Sequence, residues 1–343
     1  MGWTRWMGWI SLVAACTAGG GAEKGSSDPD DTESSDTEID ESPVAPTSDL
    51  VDPTCLDGQY SETLADPNAD VSAAVASFDP GDPTGALIAA LEVRFPSGAF
   101  LLEGGMASTR VGDCIAAFTR PADRASAEGM FRAASTLVHE CGHFLDIDSS
   151  GFNSSVYVIT TDLSLSCASG RETPARSRIQ GDDYASLRPA CPASGAFGCD
   201  SYANVYLNGD PDDQRFDSGD QGFNMLMEEA VQYVNSLITD HVFRDQRGAG
   251  ATVSARDGIL TLLWYMERYL RLVRLEAPNQ HAALLADGCW RELVLTVWGR
   301  AWLYLEVARG VNGLGIDDAE LEELVLDPDL LEEIQRVRDA EGC

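Results

Sequence analysis

Residues 125–147, ASAEGMFRAASTLVHECGHFLDI, carry apolar side chains at Met130, Phe131, Ala134, Leu137, Val138, Cys141 and Leu145. Spacings of three and four place these on one side of an α-helix, so the stretch predicts a long helix packed against a core. Pro121 lies just upstream, and Asp123 or Ser126 can supply the N-cap. Inside the helix stands His139-Glu140-Cys141-Gly142-His143. Its two imidazoles sit one turn apart on one face and can converge on a single metal ion. Glu140 follows the first imidazole by about 100° of helical rotation, which keeps it out of the ligand set but within reach of a water at the metal.

That division of labour suits hydrolysis: zinc acidifies a water to a pKa of about 7, and a neighbouring carboxylate takes the proton during attack on a carbonyl. The chain has only 4 His, at 139, 143, 241 and 281. Shuffling this composition would produce the motif only roughly a few times in a thousand. Gly142 removes a side chain beside the metal, so another segment or a substrate can approach closely. Asp146, on the same face as both His, reads either as a carboxylate orienting a ligand imidazole or as an ordinary end-of-helix Asp.

A second helix is expected over Phe223–Val242, FNMLMEEAVQYVNSLITDHV, with an apolar stripe of Leu226, Ala230, Val234, Leu237 and Ile238. Glu228 and Glu229 compete as third ligand. Glu228 shares its stripe with Asn224, Gln232 and Asn235, which reads as a wetted face. Glu229 flanks Met225, Leu226, Ala230 and Tyr233, a half-buried edge where a carboxylate needs a cation to be tolerated, and it is preferred.

HECGHFLD resembles the active-site helix of the zincin metallopeptidases. Position 146 is Asp and position 149 is Ser, so the extended HExxHxxGxxH pattern of the metzincin branch is missing. This leaves the gluzincins, with a Glu on a later helix as third ligand, or the aspzincins, with an Asp. The string Glu229-Ala230-x-x-Tyr233 resembles the Glu-bearing helix of several gluzincin families. The resemblance covers these two helices only. It implies Zn2+ held by His139, His143 and Glu229, Glu140 as general base, and a Tyr or His donor for the developing oxyanion. Tyr233, Tyr202, Tyr206, Tyr184 and His241 are candidates, and spacing singles out none. His241 also suits a helix end near the negative pole of its dipole. His281, after Pro278 and Asn279, reads as structural or exposed.

Residues 1–15, MGWTRWMGWISLVAA, combine one Arg with an apolar run too short to span a bilayer, the pattern of an export signal. Val13-Ala14-Ala15-Cys16 resembles a bacterial lipobox, which implies lipidation of Cys16 after cleavage; an ordinary secretory peptide is the alternative. Residues 16–52 are rich in Gly, Ser, Asp, Glu and Pro, and 11 acids there oppose the single Lys24. Such a stretch cannot bury enough surface to fold and self-repels, so it reads as an extended disordered tether. The expected location is the bacterial cell envelope, lipid-anchored at the outer membrane or cell surface, or alternatively secreted.

The net charge of −33 leaves an acid excess even without the tether, which disfavours nucleic acid and anionic lipid as partners. Of 9 Cys, Cys16 is set aside for lipid. Cys55, Cys114, Cys141, Cys167, Cys191, Cys199, Cys289 and Cys343 then suit disulfides in an exported protein, Cys191 with Cys199 being the most local pair. Cys141 points away from the metal, as a core thiol or half of a disulfide.

The expected fold is α+β and predominantly α. Residues 53–250 form a zincin-like core with a small sheet, and residues 251–343 a helical part of the same or an appended domain. Between Pro83 and Thr119, ALIAALEVRF, AFLLE and CIAAF read as strands or short helices, and SSVYVITTDLSLSC as a strand. Residues 168–221 read as loop, and SARDGILTLLWYMERYLRLVRLE, HAALLADGCWRELVLTVWGRAWLYLEVARG, DDAELEELV and DPDLLEEIQRVRDA as helices. Glu267, Arg268, Arg300 and Glu306 interrupt the apolar runs, which makes these amphipathic core helices and not membrane spans. The expected function is a monomeric zinc peptidase acting on a peptide or protein. The alternatives are a degenerate zincin serving as a surface binding or scaffold protein, and a zinc hydrolase of non-peptide amides or esters.

Overall fold

A computed structural model describes residues 42–151, 154–168, 173–189, 200–207, 209, 222–248 and 250–343. The signal stretch, Cys16, most of the tether, Cys191 and Cys199 lie outside the described residues. The chain is predominantly helical with a small two-stranded sheet. In order come α1 (Leu56–Gln59), α2 (Ser72–Ala76), α3 (Pro83–Arg94), α4 (Pro96–Met106), α5 (Cys114–Phe118), α6 (Ala127–Ser149), β1 (Ser154–Val158) and β2 (Ser164–Ala168). They are followed by α7 (Tyr184–Leu187), α8 (Tyr202–Tyr206), α9 (Phe223–Val242), α10 (Ala255–Glu276), α11 (Pro278–Ala286), α12 (Gly288–Val307), α13 (Asp318–Val325) and α14 (Pro328–Glu341).

The segment after Pro83 takes the helical of its two readings. Pro83 and Pro96 occupy the first turns of α3 and α4, where a missing N–H costs nothing, and Asp82 caps α3 by accepting from Gly85 N. The predicted single strand is a hairpin instead. Ile159 and Thr160 both donate to the Leu163 carbonyl, which turns the chain so that Ser154 pairs with Ala168 and Val158 with Ser164. The pattern from His281 to Gly310 likewise divides in two, because Asp287 is extended and its side chain caps α12 by accepting from Cys289 N. Short helices α7 and α8 and a 3-10 turn at Arg176–Gln180 punctuate the expected loop.

Helix α9 is the centre of the molecule. It packs against α6, α10 and α12, and its side chains share one buried cluster with residues from Val51 to Val337. The C-terminal helices are therefore part of the body that holds the motif helix. Two of the charges that interrupt the apolar runs are inside it: Glu267 and Arg300 are 0% and 1% exposed. Arg300 is tolerated because Glu62 and Asn235 pair with it. Neither carboxylate oxygen of Glu267 has a hydrogen-bond partner, and burial, with Asp327 and Glu333 nearby, pushes its carboxyl well above the usual range. No helix among the described residues is long and apolar enough to cross a membrane.

Three disulfides join described residues: Cys55–Cys343, Cys114–Cys141 and Cys167–Cys289. The first ties the N-terminal segment to the end of the chain, the second ties α5 to the motif helix, and the third ties β2 to α12. Cys141 is thus half of a disulfide on the side of α6 facing away from α9.

Candidate metal centre

Helix α6 begins where Ser126 accepts a hydrogen bond from Gly129 N, so Ser126 and not Asp123 is the N-cap. Its apolar positions at Met130, Phe131, Ala134, Leu137, Val138 and Cys141 are buried. The opposite arc, carrying Thr136, Glu140, Phe144 and Ile147, is half-buried or exposed. Two glycines set how closely neighbours approach. A Cβ at Gly142 would lie 2.1 Å from Gln232 Oε1, so α9 occupies that space. A Cβ at Gly105 of α4 would lie 2.1 Å from the Cys141 carbonyl oxygen. The close approach expected at Gly142 is thus made by another chain segment.

His139, His143 and Glu229 come together between α6 and α9, one potential ligand atom from each lying within 4.8 Å of the others. Glu229 Oε2 is 3.6 Å from His139 Nε2 and 3.5 Å from His143 Nε2. Ligands about 2.0–2.2 Å from a tetrahedral zinc are separated by about 3.3–3.5 Å, so the spacing suits such an ion. Glu229 is 1% exposed, and neither of its oxygens accepts a hydrogen bond. A buried carboxylate left in that state calls for a cation.

The Nδ1 side of each imidazole is held separately. His139 Nδ1 is 2.9 Å from Ser236 Oγ, and His143 Nδ1 is 2.5 Å from Glu228 Oε1. Engaging Nδ1 leaves Nε2 of both rings directed at Glu229, the arrangement that orients a metal-binding histidine. Neighbouring Glu228 and Glu229 are therefore placed differently, one bonded to His143 Nδ1 and the other grouped with both Nε2 atoms where a metal ion could be held. The wetted face expected along Asn224, Glu228, Gln232 and Asn235 is buried throughout. Asp146 does not take the role of orienting an imidazole. Its Oδ1 accepts from Val158 N at 2.8 Å and its Oδ2 from Gln232 Nε2 at 3.0 Å, so it joins α6 to β1 and α9.

Charge converges on the two rings. Burial acts to lower the His143 pKa, but Glu228 and Glu229 outweigh it and hold the imidazole well above its ordinary value. Burial acts to raise Glu229, and His143 and His139 outweigh it and hold the carboxyl low. Both directions report a pocket that favours positive charge.

Every residue of α9 is buried except Tyr233, which is half-buried, as is Glu140 on α6. The Tyr233 ring stands edge-on to His139, with centroids 4.9 Å apart, and its hydroxyl is 2.7 Å from that of Tyr206. Burial is the first cause pushing both phenols well above their ordinary pKa, and the charges of Glu229 and Glu140 add to it. Both hydroxyls therefore stay protonated beside the ligand group. Of the other candidate donors, Tyr202 Oη donates to the Ser254 carbonyl and Tyr184 pairs with Asp200 and Tyr265. His241 ends α9, where burial and Arg244 lower its pKa to about 4. His281 is buried in α11, outside this group.

The sequence reading did not find Ser236 or the orienting role of Glu228. The one available signal was that Ser236 lies seven residues after Glu229, two turns along one face. Comparison with known protein families, curated proteins and solved structures finds no match to this chain.

Proposed function

We propose that this chain is a zinc-dependent peptidase of the gluzincin kind. The observation that carries the reading is the buried, otherwise unpartnered Glu229 carboxylate facing the Nε2 atoms of His139 and His143, with Glu140 half-buried on the same helix. Zinc bound by these three residues would supply a Lewis acid and a water acidified to a pKa of about 7. Glu140 lies one residue past His139, about 100° round the helix, and its charge acts on Tyr206 and Tyr233 beside His139; in this reading its carboxylate takes the proton of an attacking water. The same carboxyl can then pass that proton to the departing amine. Tyr233 and Tyr206, kept protonated by burial, are the O–H donors placed to meet an oxyanion. Ser236 and Glu228 keep the imidazoles from turning while charge shifts between the ligands.

The three disulfides suit an oxidising compartment, and this supports the expectation of an exported, envelope-bound domain anchored through Cys16. The test is Glu140→Gln. Zinc stoichiometry and folding should be unchanged while cleavage of a mixed peptide library falls by at least about 1,000-fold, within the span of a general-base effect with loss of its proton relay. Undiminished cleavage would remove Glu140 from the chemistry. A zinc-loaded wild type that cleaves no peptide would refute the peptidase reading itself.

A further inference from the structure

The buried polar stripe of α9 forms the middle of a chain of hydrogen bonds that crosses the core. From the metal helix outward, Asp146 Oδ2 accepts from Gln232 Nε2 at 3.0 Å, and Gln232 Oε1 accepts from Asn235 Nδ2 at 3.0 Å. Asn235 Oδ1 then accepts from Arg300 Nη1 at 2.7 Å. On α12, Arg300 reaches Glu62 Oε1 at 3.3 Å, and Glu62 Oε2 accepts from Tyr60 Oη at 2.9 Å. Gln232 and Asn235 are both 0% exposed, and Asp146 and Arg300 are buried as well.

This chain has a direction, and the groups at its two ends agree on it: the Asp146 carboxylate accepts and the Arg300 guanidinium donates. A guanidinium can only donate, so Asn235 must turn its carbonyl toward Arg300 and its amide N–H toward Gln232. Gln232 must in turn offer its N–H to Asp146. Without the guanidinium at position 300 the Asn235 carbonyl loses its donor and the Asn235 amide can flip, which leaves Gln232 held from the Asp146 end alone. Gly142 leaves the space between the two ligand-bearing helices that the Gln232 side chain fills. Asp146 lies one turn past His143 on α6, and Gln232 lies one turn past Glu228 on α9. A change at the Asp146–Gln232 contact therefore shifts His143 against Glu228 and Glu229.

From this we infer that Arg300, with Asn235 and Gln232 as intermediaries, is a positioning residue for the metal centre: it orients a buried hydrogen-bond chain that sets the spacing of His143 and Glu229. The inference rests on the metal-site reading above and is independent of the peptidase reading.

The test measures Co2+ affinity by chelator competition, and the visible absorption of bound Co2+, on full-length protein. Asn235→Asp keeps the acceptor for Arg300 but removes the donor to Gln232. The pair Arg300→Gln with Glu62→Gln removes the donor-only group without leaving a buried charge alone, and Asn235→Ser opens the chain. Groups bonded directly to a ligand change metal affinity by about 10–100-fold; the chain acts on the ligands only through the spacing of their helices, so weakening at the low end of that range, about tenfold, is expected, with an altered cobalt spectrum. Arg300→Lys, still donor-only, should bind within about threefold of wild type on the same scale. A merely structural role would lower the melting temperature and leave the affinity and spectrum of the folded protein alone. Wild-type affinity and spectrum in whichever of the three disruptive variants folds would overturn the inference. A wild-type chain that binds no Co2+ would overturn the metal site itself and this inference with it.

Discussion

Replacing Gly142 by alanine opposes two effects whose sizes can be compared. The new methyl would stand 2.1 Å from Oε1 and 2.7 Å from Cδ of Gln232. A glutamine end normally swings aside, but this one is held by Asp146 and Asn235, each at 3.0 Å, and is 0% exposed. Displacing it breaks two hydrogen bonds and leaves buried partners unsatisfied, at about 1–3 kcal/mol each. Alanine's better helix propensity returns about 1 kcal/mol. Gly142→Ala is therefore expected to destabilise the fold by about 3 kcal/mol, the midpoint of these ranges.

A double-mutant cycle isolates the cause. With Gln232 shortened to alanine the obstruction is gone, so adding Gly142→Ala should then be neutral or stabilising by about 1 kcal/mol. The assay is urea denaturation of metal-free protein with its disulfides intact, comparing midpoints at constant slope. Additive effects of the two substitutions, or a Gly142→Ala chain as stable as wild type, would show that the α6–α9 approach does not depend on this glycine.

Other outcomes follow from the same geometry. Glu228→Ala removes the group on His143 Nδ1 and should weaken zinc binding by about 10–100-fold in a chelator competition; unchanged affinity would deny Glu228 its orienting role. Asp257 has its carboxyl raised to about 6 by burial, against the pull of the Ile316 and Asp317 N–H groups and with the charges of Asp318 and Asp317 adding to the rise. The folded chain holds this proton where the unfolded chain has released it, so stability contributed below about pH 4 is lost as pH rises through about 6. The loss is on the order of 3 kcal/mol, and Asp257→Asn should abolish it, as read from urea midpoints at intervals across that window. Replacing Cys114 and Cys141 together by serine should cost about 2–4 kcal/mol; an unchanged melting temperature would mean that the bridge contributes nothing to holding α6.

Much of the site was readable because local signals and global packing agree there. The three-and-four spacing of α6, the Ser126 cap and the start and end of α9 all depend on residues within a turn or two. So does the placement of Cys141 on the side of α6 away from the two imidazoles. The preference for Glu229 over Glu228 agrees with the grouping of ligands, although half of its reasoning does not. Polar residues at 224, 228, 232 and 235 look like a wet face when only the helix is considered. In the fold Asp146, 86 residues from Gln232, and Arg300, 65 residues from Asn235, satisfy those two amides, and His143 pairs with Glu228. Periodicity identifies a face but not what covers it. The burial of Glu267 and the hairpin turn at Ile159–Leu163 escaped for the same reason, since tertiary partners and not local propensity decide them.

The metal content of the purified chain bears most directly on the site. After equilibration with zinc and removal of excess, elemental analysis should find one zinc per chain, reduced to near zero in Glu229→Ala while Glu140→Gln retains it. Wild-type chain without zinc, or Glu229→Ala holding zinc with unaltered stoichiometry and affinity, would contradict the assignment of His139, His143 and Glu229 as one metal centre.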